Sequence, residues 1–186
     1  MKSQIIELLK LGRIGVMPTD TIYGIVGSAL NPDTVEAVYK LRKRSGNKPF
    51  IILISSMDDL QSFGIKLTKQ QVDFLQKNWP NPLSVILPLN SEKYNYLHRG
   101  KNSLAFRMPK DEKLLELLKQ TGPLVAPSAN YEGERPAETI DEAKRYFGDR
   151  VDLYIDGGNI TEKSSTIIQL FEDGSKIVLR KGSYKI

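Results

Sequence analysis

Five consecutive apolar residues, Phe50 to Ile54, form the run that most restricts how this chain can fold. The run is too short for a buried helix and has the β-branched composition of a strand that is covered on both faces. A strand of this kind needs helices above and below it. The run therefore predicts a central strand in an α/β sheet with flanking helices.

Short apolar segments alternate with helical patterns along the rest of the chain. Strands are predicted at 14–17, 23–29, 83–87, 104–108, 124–126 and 151–155, with a final hairpin of 166–171 and 176–180. Helices are predicted at 57–63, 68–78, 114–118 and 139–147, with one more before Gly12 and one after the cap Asn31-Pro32-Asp33. Residues 90–102 are predicted to be a polar loop. The fold class is a single-domain twisted mixed sheet with flanking helices.

Composition limits the classes of function. A chain of 186 residues with 40% hydrophobic and 26% charged content predicts one globular domain, spanning 1–186. The lack of cysteine excludes disulfides, thiolate metal sites and a cysteine nucleophile. No signal peptide or long apolar run is evident, so we expect a cytoplasmic protein with no membrane association. The net charge of +5 favours anionic partners, either nucleotides or nucleic acid.

Several familiar catalytic motifs are missing. There is no Gly-x-Gly-x-x-Gly, and the nearest approach to a P-loop, at 158–164, lacks the glycine before lysine and lies between strands. The lone histidine, His98, lies beside Arg99 in the predicted polar loop and fits a surface position better than a general base. No histidine or cysteine metal site is indicated. Polar residues at strand ends remain as the candidates.

Two segments near the N-terminus are candidates for ligand binding. The turn Pro18-Thr19-Asp20-Thr21 follows a strand at the edge where open α/β sheets bind ligands, although its hydroxyls could equally bond local backbone. The cluster 42–49 carries Arg42, Arg44 and Lys48. Cations also favour the end of a helix, so this cluster alone leaves a phosphate site and a solvated patch both open.

Three later segments add to the pattern. Arg107 stands inside an apolar strand, where an unpaired charge is costly, so it faces either an anionic ligand or a structural carboxylate partner. The small-residue segment 126–130 ends another strand and contains Ser128 and Asn130. Hydroxyls at 164–166 and the cation Arg180 flank the final hairpin.

Together these segments resemble the YrdC/TsaC family of threonylcarbamoyl-AMP synthases. The motifs that carry the resemblance are Pro18-Thr-Asp-Thr-Ile-Tyr-Gly24, Arg42-x-Arg44, Trp79-Pro-Asn-Pro-Leu83, Ala105-Phe-Arg-Met-Pro109, Pro127-Ser-Ala-Asn130, Asp156-Gly-Gly158, Ser165-Thr166 and Leu179-Arg-Lys-Gly182. They occur in order over nearly the whole chain. Each motif is weak singly, and the set is specific.

The resemblance implies a concave basic groove and a nucleotidyltransferase that joins L-threonine, bicarbonate and ATP into threonylcarbamoyl-AMP and pyrophosphate for tRNA modification. It implies roles for the following residues: catalytic Arg42 and Arg44; L-threonine contacts Thr19, Thr21, Arg107 and Ser165; ATP contacts Arg44, Lys48, Ser103, Ser128, Asn130 and Arg180. Mg²⁺ is expected on the pyrophosphate, without a protein metal site. Partners would include tRNA and tRNA-modification proteins.

Some positions depart from the family pattern and keep alternatives open. Arg42 replaces the usual lysine, Ser45 the usual proline, and Leu53 a frequent histidine. One alternative is a carbamoyl-adenylate enzyme with another acceptor. A second is an RNA-binding module of the same fold, which would use the aromatic and basic side chains between Tyr94 and Lys101, although a solvated loop is the simpler reading of that segment.

Overall fold

The computed structural model describes residues 2–186, which contain nine strands. These are β1 (Gly15–Pro18), β2 (Tyr23–Ser28), β3 (Ile51–Leu53), β4 (Leu83–Pro88), β5 (Ser103–Arg107), β6 (Leu124–Val125), β7 (Leu153–Tyr154), β8 (Thr166–Leu170) and β9 (Lys176–Arg180). They form a sheet in the order β7-β1-β2-β6-β3-β5-β4-β8-β9. The pairs β1/β7, β3/β5 and β4/β8 are parallel and the others antiparallel. The predicted mixed sheet with a central strand at β3 is confirmed.

The helices begin at residues that the sequence marks as caps. They are α1 (Lys2–Lys10), α2 (Pro32–Leu41), α3 (Lys69–Asn78), α4 (Asn95–His98), α5 (Glu112–Thr121) and α6 (Ile140–Phe147), with 3₁₀ segments at Met57–Phe63, Glu92–Tyr94 and Gly148–Arg150. The Asn31 side chain accepts the Thr34 N–H, and Pro32 occupies the first turn of α2. Asp111 caps α5 in the same way. No helix of the described chain has the length and apolar content to cross a bilayer.

Successive residues of the inner strands point to opposite faces of the sheet, and both faces are buried. Ile52 packs in the larger core cluster, whereas its neighbour Leu53 packs in a second cluster with Leu9 of α1 and Leu117 of α5. The same alternation separates Val125 from Leu124. Helices thus cover both faces, as the apolar run at β3 requires.

The segment 90–102 differs from its predicted form. Instead of a polar loop it contains a 3₁₀ turn and α4, and the expectation of a surface histidine is wrong because His98 is only 1% exposed. Its Nδ1 accepts the Gly100 N–H, and its Nε2 lies 3.1 Å from the Ser91 carbonyl. Tyr94 is also buried. The aromatic rings supply core packing, so they are not free to stack on RNA bases.

Candidate active site

A cavity of about 240 Å³ lies beside the β1–β2 turn, the α2–β3 loop and the C-terminal end of β5. The segment after β6 and the ends of the β8–β9 hairpin complete its wall. Its lining residues are Thr19, Thr21, Ile22, Gly24, Arg42, Arg44, Pro49, Phe50, Ile51, Arg107, Ala126, Pro127, Ser128, Pro136, Ser164, Ser165, Ile167 and Arg180. Segments far apart in the sequence therefore meet at one site.

The sequence left two roles open for the threonines of the β1–β2 turn, bonding to local backbone and lining a ligand site, and the structure is compatible with both. The Thr19 hydroxyl donates to the Ile22 carbonyl at 2.7 Å and lies 3.2 Å from the Thr21 hydroxyl, so it closes the turn locally. Both side chains also line the cavity. A Cβ on Gly24 would lie 2.9 Å from the Thr19 methyl, which explains the glycine there.

Arg107 reaches the same turn from the end of β5. Its Nη2 lies 3.0 Å from Asp20 Oδ1 and 3.5 Å from the Thr19 hydroxyl, and the Arg107 and Asp20 side chains are 4% and 3% exposed. The ion pair is not aligned as a hydrogen bond, and Nε of Arg107 has no partner within the described chain. Burial lowers the pKa of Arg107, and the charge of Asp20 opposes that shift. Arg107 thus has a structural carboxylate partner, Asp20, and a buried Nε–H donor without an acceptor among the described residues.

Arg42 is buried at the end of α2 and is held by neutral acceptors. Its Nε donates to the Asn130 carbonyl at 3.0 Å, and its Nη2 donates to Asn130 Oδ1 at 3.1 Å and Ser128 Oγ at 3.3 Å. Burial lowers its pKa to about 10, with a smaller contribution from the positive charge of Arg44. Since no carboxylate contacts the guanidinium, its positive charge remains available to a ligand.

The basic loop after α2 is fastened to the segment after β6. Glu132 accepts hydrogen bonds from Lys48 Nζ and from the Ser45 N–H, both at 2.8 Å. The hydrogen bond from Lys48, followed by that from Ser45, lowers the pKa of Glu132 to about 2. Arg44 donates Nε to the Lys48 carbonyl, and its guanidinium lies 5.4 Å from the Phe50 ring centroid. The loop therefore presents Arg44 to the cavity and turns Lys48 toward Glu132.

Ser165 and Arg180 form the wall contributed by the β8–β9 hairpin. Arg180 donates to the Ser165 carbonyl at 2.8 Å and to its hydroxyl at 3.1 Å, and Ser84 Oγ lies 2.9 Å from the same hydroxyl. Partial burial of the guanidinium against Ser165 lowers the pKa of Arg180, although much of the residue is exposed, and repulsion from Arg107 adds to this effect. A Cβ on Gly182 would come within 2.1 Å of the Ser164 carbonyl, so only glycine allows this close approach.

Three of the predicted ATP contacts are not on the cavity wall. Lys48 is exposed and ion-paired with Glu132. Asn130 donates its amide to the carbonyls of Tyr131 and Glu134 and accepts from Arg42, so it holds that arginine in place. Ser103 lies at the opposite end of β5 from Arg107, about 13 Å away at the usual rise of a strand.

Sequence reasoning gave no role to three residues that support the site. Asp20 pairs with Arg107, Ser84 contacts the hydroxyl of Ser165, and Glu132 holds the basic loop. Asp20 lies within the recognised turn motif, so its position carried a signal. Ser84 and Ser165 are 81 residues apart, and nothing in the sequence indicates their contact.

The cavity is strongly cationic. Arg42, Arg44, Arg107 and Arg180 line it, and none of its described lining residues is acidic. Hydroxyls of Thr21, Ser128 and Ser165 add neutral hydrogen-bonding groups. Within residues 2–186 no group of three acidic or histidine side chains is arranged to hold a metal ion. The site is thus suited to a multiply charged anion.

Comparisons with known proteins agree with this chemistry. The profile of the family described as "Telomere recombination" (Sua5, YciO and YrdC) matches residues 7–182. The threonylcarbamoyl-AMP synthase of Pyrococcus abyssi is 30% identical over 179 residues, which are 94% of this chain and 52% of that protein. The Halorhodospira halophila enzyme of the same name is 27% identical over 150 residues, 80% of this chain and 78% of that protein.

A solved structure is also similar. The crystal structure of P. abyssi Sua5 complexed with L-threonine superposes with a TM-score of 0.88 at 27% identity, covering 97% of this chain and 54% of the other. The chain therefore spans about half the length of the P. abyssi protein and most of the length of the H. halophila protein.

Proposed function

Because this chain belongs to the Sua5, YciO and YrdC family, we propose that it is an L-threonylcarbamoyladenylate synthase. The enzyme would condense L-threonine, bicarbonate and ATP into threonylcarbamoyl-AMP and pyrophosphate. The observation that carries the proposal is a single cavity with four arginines and no acidic lining residue. This arrangement suits a nucleotide and an amino-acid carboxylate held side by side.

The two ends of the cavity would bind different substrates. Arg107 would pair with the carboxylate of threonine, because its buried Nε has no protein partner, and Thr19, Thr21 and Ser165 would supply hydroxyls around it. Arg42, Arg44, Ser128 and Arg180 would face the nucleotide, as lining residues. We leave Ser103 out of this set and assign Asn130 and Lys48 supporting positions.

The reaction needs alignment more than acid and base groups. The threonine amine adds to bicarbonate with loss of water, and an oxygen of the resulting carbamate attacks the α-phosphorus of ATP as pyrophosphate leaves. Arginines fixed by Asn130, Asp20 and Ser165 can offset the charge that develops, without reorganising during the step. The described residues include no cluster of side chains that could hold a metal ion. Mg²⁺, when present, would therefore be bound mainly through the phosphates of ATP, where it would neutralise charge.

Related proposals concern partners and location. The product is an activated acyl adenylate, and tRNA adenosine is the acceptor that the family resemblance implies. A cytoplasmic location stays a prediction. The RNA-binding alternative is weakened because Tyr94 and His98 are buried.

Product analysis tests the proposed reaction. Incubation with ATP, threonine and ¹³C-bicarbonate should release pyrophosphate and yield a labelled threonylcarbamoyl-AMP by mass spectrometry. Omission of threonine or bicarbonate should abolish both products. Pyrophosphate release that is independent of threonine but supported by another acceptor would instead favour the carbamoyl-adenylate alternative, for which the buried Leu53 is the sequence clue.

Single variants test whether the two ends of the cavity bind different substrates. Arg107→Ala should mainly raise the KM for threonine, and Arg44→Ala should mainly raise the KM for ATP. Equal effects of both variants on both constants would contradict the assignment.

A further inference from the structure

Strand β9 forms one edge of the sheet, and Leu179 is left out of its register with β8, where Ile167 pairs with Arg180 and Ile168 with Val178. It pairs only with β8 in the described sheet order, and every one of its five residues is exposed. The other edge, β7, has only two residues. An edge strand carries a row of backbone N–H and C=O groups without strand partners, which can pair with another extended chain.

The three central residues of β9 have exposed apolar side chains, between the cations Lys176 and Arg180. Ile177, Val178 and Leu179 are 52%, 41% and 55% exposed. The described chain has seven clearly exposed large apolar side chains, and five of them lie within 171–186. Scattered exposed apolar residues are ordinary, but three in succession on an edge strand are unusual, and the irregularity at Leu179 with the flanking Lys176 and Arg180 restricts which chains can pair there.

The surrounding charge is positive. Residues 174–186 contain Lys176, Arg180, Lys181 and Lys185 and no acidic residue. A two-fold pairing of β9 with a second copy would place Lys176 opposite Arg180, or opposite Lys181 if the register moves by one residue, and like charges in facing positions are destabilising. RNA would match the charge, but the one aromatic residue of 174–186, Tyr184, is partly buried and packs against the core, so its ring is occupied.

We propose that β9 is a docking edge for an extended acidic and apolar segment of a partner protein, which adds to the sheet as a tenth strand. Apolar side chains of that segment would lie beside the central residues 177–179, and its carboxylates beside the cations Lys176, at the start of the strand, and Lys181, just after its end. Because β9 ends at Arg180, which lines the cavity, the partner would lie next to the candidate active site.

A labelled peptide tests this surface on the full chain. The probe is a fluorescein-labelled short peptide of alternating Glu and Val, measured by fluorescence anisotropy, with an alternating Lys and Val peptide as its charge-reversed control. We expect saturable binding of the acidic peptide that weakens with added salt, and none of the basic one. Hydrogen exchange of amides in 176–180 should slow in the complex if a new strand is added.

Two double variants locate the contact. Ile177→Glu with Leu179→Glu should weaken binding at least about tenfold, through lost apolar contact and like-charge repulsion. Leu11→Glu with Leu30→Glu is the matched control at exposed leucines elsewhere and should leave binding unchanged. Circular dichroism should give the same unfolding temperature for the two doubles, since all four positions are exposed.

Other outcomes would overturn the proposal. Failure of the acidic peptide to saturate, equal binding by the Ile177/Leu179 double variant, or unchanged exchange at 176–180 would each do so. Concentration-dependent dimerisation that the same variant abolishes would assign the edge to a second copy. Tighter binding of single-stranded RNA, lost in that variant, would assign it to nucleic acid.

Discussion

Two buried arginines in the same cavity are held in opposite ways. Arg107 faces a carboxylate, Asp20, which neutralises it and leaves Nε without a partner. Arg42 is bound by a carbonyl, an amide oxygen and a hydroxyl, none of them charged. The first arrangement gives up net charge and fixes a geometry, whereas the second keeps a full positive charge in the site. In the proposed assignment, the buried Nε–H of Arg107 offers a positioned donor to a single carboxylate, whereas the charge of Arg42 remains to attract a polyphosphate.

The largest expected difference between the two arginines is in folding stability. Arg107→Met leaves the Asp20 carboxylate buried and unpaired, which should cost about 3–5 kcal/mol of unfolding free energy. Arg42→Met leaves only neutral acceptors unpaired, the two Asn130 oxygens and the Ser128 hydroxyl, and should cost about 1–3 kcal/mol. Urea denaturation measures both free energies.

The double variant Asp20→Asn with Arg107→Met is the control for this stability test. It should recover most of the loss, because no charge remains buried alone. If Arg42→Met lowers the unfolding free energy as much as Arg107→Met does, the surroundings of the two arginines do not differ in the way described.

The next largest difference is in the affinity for pyrophosphate. Arg42→Gln removes a charged donor from the proposed phosphate end and should weaken pyrophosphate binding about tenfold to a hundredfold, corresponding to about 1.5–3 kcal/mol. Arg107→Gln should change it by less than about threefold, because Asp20 already offsets its charge. Isothermal titration calorimetry without threonine makes the comparison. Similar losses in both variants would mean that pyrophosphate uses the whole cavity.

Ser84 provides a smaller test at the end of the cavity that we propose binds threonine. Its hydroxyl is fully buried beside that of Ser165, so Ser84→Ala should remove one of the two side-chain partners of that hydroxyl, leaving Arg180, and raise the KM for threonine several-fold, about 1 kcal/mol. The kcat and the KM for ATP should change little. A double-mutant cycle with Ser165→Ala should show non-additive effects, and strictly additive ones would rule out a positioning role.

Local patterns in the sequence predicted most elements of the fold, and long-range contacts account for what they missed. The run at β3 and the caps at Asn31 and Asp111 were sufficient because strand burial and capping are local effects. The prediction of a polar loop with a surface histidine at His98 was wrong because the tyrosines and the histidine of this segment contact backbone carbonyls within the fold. Polarity alone does not reveal such contacts.

In the candidate site, too, local sequence patterns were informative and long-range contacts were not predictable. The arginines and hydroxyls converge as strand-end positions suggested, whereas the partner of each was not predictable. Whether Arg107 meets a carboxylate depends on the turn that carries Asp20, and whether Lys48 faces the cavity depends on Glu132, 84 residues away. Pairings of this kind are set by tertiary geometry.

The smallest expected effect concerns the exposed rim of the Arg42 end, where Glu132 fastens the loop that carries Arg44 and Lys48. The folded-state pKa of Glu132 is about 2, below its usual 4.5, so the pair contributes stability above about pH 4.5 and loses it as pH falls toward 2. The urea midpoint of the wild type should therefore exceed that of Glu132→Gln near neutral pH, by a small margin because the pair is exposed, and the two should converge on acidification. In a Lys48→Met background the effect of Glu132→Gln should shrink but not vanish, because the Ser45 N–H still donates to the carboxylate. A gap between wild type and Glu132→Gln that is as large at pH 2 as at pH 7 would mean that the loop is held by something other than this carboxylate.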